Sequence, residues 1–95
     1  MLKLLKKLFS KDKEKLKPGA CYGVLHGKYV GELFVFVEST DDVLHFLSVP
    51  NMKNREVPIE KYKYGIKNGV LEFVEMLPRN ERKVCVAQYH ANKHE

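Results

Sequence analysis

The chain has no tryptophan and two cysteines among its 95 residues. It also lacks any apolar run near the roughly 18 residues that a membrane-crossing helix needs. Cys21 and Cys85 lie 64 positions apart, which excludes a disulfide framework and leaves two small buried hydrophobes as the simplest reading. Glycine is sparse, and Gly27-Lys28 and Gly65 stand without the glycine-rich surroundings of a phosphate loop. The four histidines, His26, His45, His90 and His94, are not clustered with cysteine or carboxylate at metal-ligand spacing. His90 and His94 are four apart, yet no third ligand completes the pair. Carboxylates are scattered, and Asp41-Asp42 reads as turn chemistry. The expectation is a protein with no metal, no cofactor and no catalytic activity, a small enzyme being the distant alternative. The first residues lack the continuous apolar stretch and small-residue cleavage site of a secretory signal, so the chain is expected in the cytoplasm.

What the sequence does have is a segregated charge. Residues 1–17 carry seven lysines against Asp12 and Glu14, a balance of +5, while residues 18–95 carry ten basic and ten acidic side chains. A cationic segment, 1–17, therefore precedes a neutral body, 18–95. At about 100° per residue, Leu2, Leu4, Leu5, Leu8 and Phe9 fall within one arc of roughly 160°. Lys3, Lys6, Lys7 and Lys11 fall opposite. The spacing predicts a short amphipathic helix over 1–9, and the polar KDKEK that follows predicts a charged linker ending at Pro18-Gly19.

The body reads as a meander of short strands. ACYGVLH (20–26) is followed by a turn at Gly27-Lys28, then by YVGELFVFVE (29–38). Within it, Leu33-Phe34-Val35-Phe36-Val37 is apolar on both faces, as a central strand covered on both sides would be. Ser39-Thr40-Asp41-Asp42 predicts a turn, and VLHFLSV (43–49) a third strand. Residues 50–58, rich in proline, asparagine and charge, predict a loop. Asn68-Gly69 between KYKYGIK and VLEFVEML predicts a type I′ hairpin, with Tyr64, Ile66, Leu71 and Phe73 on its core face. A terminal helix over 79–91 is favoured over a strand. It would gather Val84, Cys85, Gln88, Tyr89 and Asn92 on one side and leave Val86 opposite.

In strand number and spacing, the body resembles an SH3-like barrel. The expected class is thus α+β and β-rich: a small bent sheet or partly open SH3-like barrel, with an N-terminal amphipathic helix and a C-terminal one. The function expected is binding. The contact surfaces would be a barrel face and Met52, Lys53 and Arg55 of the 50–58 loop, since loops on a rigid sheet are common binding sites. The N-terminal segment has several readings. Its leucines Leu2, Leu5 and Leu8 with Phe9 could pack on the domain's own sheet or enter a partner's groove. They could also enter a membrane interface while Lys3, Lys6, Lys7 and Lys11 face anionic headgroups. Nucleic acid is the alternative partner, because Tyr62 and Tyr64 alternate with lysines. A homodimer would follow if LFVFV lay at a sheet edge.

Overall fold

The two-faced strand LFVFV governs the architecture. The computed structural model of the chain describes residues 16–94. It contains β1 (Ala20–Val24), β2 (Leu33–Thr40), β3 (Val43–Val49), β4 (Lys53–Pro58), α1 (Ile59–Lys67), β5 (Leu71–Met76) and α2 (Arg79–Lys93). The strands form one antiparallel sheet in the order β4-β3-β2-β1-β5. It is an open sheet with β4 and β5 as its edges, and LFVFV lies at its centre. The expected N-terminal helix lies outside the described residues. No helix among the described residues is long and apolar enough to cross a membrane.

Because side chains alternate along a strand, the sheet feeds two cores. Ala20, Tyr22, Val24, Phe34, Phe36, Leu44 and Phe46 project to one face, where Tyr62 of α1 joins them. Cys21, Val35, Val37 and Leu47 project to the other, under Cys85 and Tyr89 of α2. The first core is aromatic: Tyr22 meets Phe46, Tyr62 and Phe73 edge-on, with ring centroids 5.6–6.1 Å apart. The Tyr22 and Tyr62 hydroxyls also bond to each other at 3.0 Å, satisfying two polar tips inside an apolar layer.

Two expectations of secondary structure are corrected. The 61–67 segment is helix, not the first strand of a hairpin. Ile59, Tyr62, Gly65 and Ile66 recur at helical spacing and point inward, whereas Tyr64 is exposed. Asn68-Gly69 closes this helix. Gly69 takes φ +73° while Asn68 stays at −103°, and Val70 N–H donates to Gly65 O at 2.8 Å. That is the 6→1 bond of a Schellman cap. Residues 53–58, expected as loop, form edge strand β4 in register with β3. Their charge and terminal proline suit an edge.

The terminal helix is present, and α2 packs as a clamp. Cys85 and Tyr89 are buried, with Gln88 and Asn92 half-buried beside them. Val86 packs against their cluster and Val84 is exposed, the reverse of the expected pair. Polar bonds fix the far end. Asn92 Nδ2 donates to Met52 O and to Asn54 Oδ1, both at 2.9 Å, and Asn54 Nδ2 donates to Tyr89 O at 3.0 Å. The Tyr89 hydroxyl donates to Glu38 Oε2 at 3.1 Å, and Lys93 Nζ lies 3.6 Å from the same oxygen.

The hydrogen bond from Tyr89 holds Glu38 below the usual carboxylate range. Burial, and then the Glu38 carboxylate, push the Tyr89 phenol up to about 12 from an ordinary 10. Above pH 10 the unfolded chain releases a proton that the folded chain keeps. Tyr89's contribution is therefore complete below pH 10 and is lost as pH rises toward 12. Urea midpoints should fall more steeply over that window for the native chain than for Tyr89→Phe; parallel curves would contradict the assignment.

Candidate functional site: an apolar cleft beside the first helix

Helix α1 crosses from edge β4 to edge β5 and covers only part of its face. Its first turn is tied to the β2–β3 turn by Ile59 N–H, which donates to Asp42 O at 2.8 Å. On the side toward the β1–β2 loop a cleft of about 420 Å³ remains, within the size range of small-ligand sites. Val24, Phe34, Val57 and Leu71 supply apolar lining, and Tyr29 and Tyr64 supply rings. The charged side chains there are Lys28, Arg55 and Lys61 against Glu56, with His26 on the loop.

Gly65 sets one wall. A Cβ at this position would stand 3.2 Å from Leu71 Cδ1 and Cγ, so the glycine lets α1 approach β5 closely. This explains a glycine in the interior of a helix, where it otherwise costs about 1 kcal/mol relative to alanine.

Arg55 organises the polar end. Its guanidinium carbon lies 4.3 Å from the Tyr29 ring centroid, and Lys28 Nζ lies 5.5 Å from the same centroid. Arg55 Nη2 reaches Glu32 Oε1 at 3.5 Å, the outer limit of a hydrogen bond. The fully buried Ser48 hydroxyl donates to that same oxygen at 2.5 Å. Buried Arg55 Nε has no acceptor. A guanidinium carries five donors, so this one retains capacity for an anion while already being oriented by a ring and a carboxylate.

The residues singled out from the sequence do not form one patch. Arg55 belongs to this cleft. Met52 sits in the β3–β4 turn at φ +56° and borders the opposite face, and Lys53 is the exposed first residue of β4. Lys3, Lys6, Lys7, Lys11, Leu2, Leu5, Leu8 and Phe9 lie outside the described residues. Tyr29, Glu32 and Ser48 were not anticipated. The signal that could have found two of them is a polar residue set in or against an apolar strand, as with Ser48 in VLHFLSV and Glu32 just ahead of LFVFV; nothing local marks Tyr29. Among the described residues no group of three histidine, cysteine or carboxylate side chains could hold a metal ion. His45 is engaged locally, with Nε2 2.6 Å from Thr40 Oγ1 and Nδ1 3.7 Å from Glu56 Oε2.

Compared with protein-family models, with curated proteins and with solved structures, the chain matches none. The chemistry of the cleft therefore stands on its geometry.

Gly65→Val should destabilise the fold by about 1–3 kcal/mol through overpacking against Leu71. The measurement is the urea midpoint with unchanged slope; an unchanged midpoint would mean that α1 does not rest on β5 as described.

Proposed function

We propose that this chain is a small, non-catalytic binding module whose contact surface is the cleft beside α1. It takes an apolar side chain or ring followed by a carboxylate, presented by a segment of a partner protein. The observation that carries this reading is Arg55: a half-buried guanidinium among the lining of an apolar cleft, oriented by the Tyr29 ring at 4.3 Å and by Glu32 at 3.5 Å, with donors beyond the one that meets Glu32. The apolar lining desolvates the ligand's body, and Lys28, Arg55 and Lys61, outnumbering Glu56 in the lining and Glu32 beside Arg55 by one, attract its charge. Charge-assisted bonds to a preoriented guanidinium add direction as well as affinity. The strand order, with β5 returning to pair with β1, supports reading the sheet as an SH3-like barrel left open between β4 and β5. A cytoplasmic setting, with the lysine-rich start as a reversible tether to an anionic surface, belongs to the same proposal.

A second reading, single-stranded nucleic acid, is favoured by one feature of α1. Tyr64 is 65% exposed, with Lys61 and Lys67 one turn to either side and therefore on the same helical face. An exposed ring among lysines is the arrangement on which bases stack.

Chemical-shift titration separates the two. At about 0.3 kcal/mol per heavy atom, 4-phenylbutyrate should bind in the low millimolar range. Its shifts should centre on Val24, Tyr29, Gly65 and Leu71. Arg55→Gln should weaken it at least about tenfold, as expected for a bond to a charged group, and 4-phenylbutanol should bind less well than the acid. Scattered shifts, or equal binding of acid and alcohol, would overturn the protein-segment reading. Oligothymidylate binding that falls steeply with salt and is lost in Tyr64→Ala would install the second.

A further inference from the structure

Helix α2 packs mainly on β2, β3 and β4, which leaves its face of the sheet thinly covered toward β1 and β5. A groove of about 280 Å³ lies along that border, walled by Cys21, Leu33 and Val35 from the sheet and by Val84 and Cys85 from the helix. Its rim is apolar and open: Leu33, Met52 and Val84 are exposed, Val84 by 64%. Val74, also exposed, extends the rim, since it and Leu33 both come within 4 Å of the place where a Cβ on Gly23 would stand. Exposed apolar side chains gathered in this way mark a contact surface; the same residues scattered singly would not.

The charged side chains in the lining are Glu75 and Glu81. Among the described residues neither has a basic group within ion-pair distance. Arg79, Arg82 and Lys83 lie on the same turns of α2 but outside the lining. At about 100° per residue, Arg79 and Lys83 fall on the far side of the helix from Glu81. Arg82 is turned toward Pro18, whose carbonyl oxygen its Nη1 reaches at 3.5 Å. The field of the two carboxylates reaches the floor of the groove. After burial, Glu75 is the larger charge that pushes the Cys21 thiol up, and Glu81 does the same for Cys85. An occupant that brings a cation to this rim meets two carboxylates without partners, whereas an anion meets repulsion.

We propose that this groove is a second binding site, for an apolar side chain neighboured by lysine or arginine on a segment of a partner protein. The apolar side chain lies over Leu33, Val35 and Val84, and the cation points toward Glu75 and Glu81. The groove is on the opposite face of the sheet from the cleft beside α1 and has the opposite charge; β2 sends Phe34 to the cleft and Val35 to the groove. Joined to the reading of that cleft, this makes the chain an adaptor that holds two segments of unlike charge, one on each face. The two linings share no residue, so the groove stands or falls independently of the ligand proposed for the cleft.

The test titrates the full chain with 4-phenylbutylamine, 4-phenylbutanol and 4-phenylbutyrate. At the groove the amine should bind most tightly of the three, with methyl shifts centred on Leu33, Val35, Leu77 and Val84. Glu75→Gln combined with Glu81→Gln, both exposed positions, should weaken the amine about two- to tenfold, as expected for exposed ion pairs, and bring it level with the alcohol. Arg55→Gln should leave amine binding unchanged. The double glutamine substitution should leave the acid's binding beside α1 unchanged, so that either site can fail alone. Equal binding of amine and alcohol to the native chain, or amine shifts centred elsewhere, would overturn the proposal. Shifts of Leu33, Val74 and Val84 that grow with protein concentration and no additive would overturn it too, since the occupant would then be a second copy.

Discussion

Phe34 and Phe36 enter one core from β2 while Val35 and Val37 enter the other. A strand of this kind cannot sit at an edge or face water on either side without exposing large apolar area, at about 25 cal/mol per Å². It needs neighbours on both edges and a cover on both faces. β1 and β3 supply the edges. The covers are unequal: fifteen-residue α2 is fixed by the Asn54, Asn92 and Tyr89 bonds, whereas nine-residue α1 leaves part of its face bare. The cleft beside α1 is what remains when a short helix covers a five-stranded sheet. The second groove, of about 280 Å³ and bordered by Glu75 and Glu81, lies under α2 and arises differently, because that helix is anchored at its far end and its first turns leave Leu33 exposed.

The centre of this arrangement was legible in the sequence, because an apolar pentapeptide with no alternation has few homes in a soluble domain. The C-terminal helix was legible too, from Pro78 and the spacing of Cys85 and Tyr89. Segment 59–67 was not, for a physical reason. Lysine and tyrosine alternate there with period two, while Ile59, Tyr62 and Ile66 repeat with the helical period, so the local pattern supports either state. Asn-Gly does not break the tie, since Gly69 takes positive φ as a helix cap just as it would in a hairpin. The decision is tertiary: the ring layer of Tyr22, Phe34 and Phe46 requires a cover, and Tyr62 meets Tyr22 only from a helix laid across it.

The site was less legible than the fold. Arg55 stood out in the sequence, but as part of a loop with Met52 and Lys53. Once those residues form a turn and an edge strand, alternation sends Arg55 to one face and Met52 borders the other. Its partners come from distant segments, Tyr29 and Glu32 before β2 and Ser48 in β3. No local spacing relates them; only the register of β2, β3 and β4 brings them together. The two grooves also differ in sign, cationic beside α1 and acidic under α2, a contrast hidden by the near-neutral charge of the body.

The claim on which the rest depends is that β2 couples the two cores into one cooperative unit. Native-state hydrogen exchange tests it directly, using Phe46→Ala on the α1 face and Leu47→Ala on the α2 face, both at positions with no solvent exposure. Each substitution should lower the protection of the same slowest amides in β1, β2 and β3 by about 2–5 kcal/mol. If each lowered protection on its own face alone, leaving the other helix and its contacts intact, the two covers would be independent and the account would be wrong.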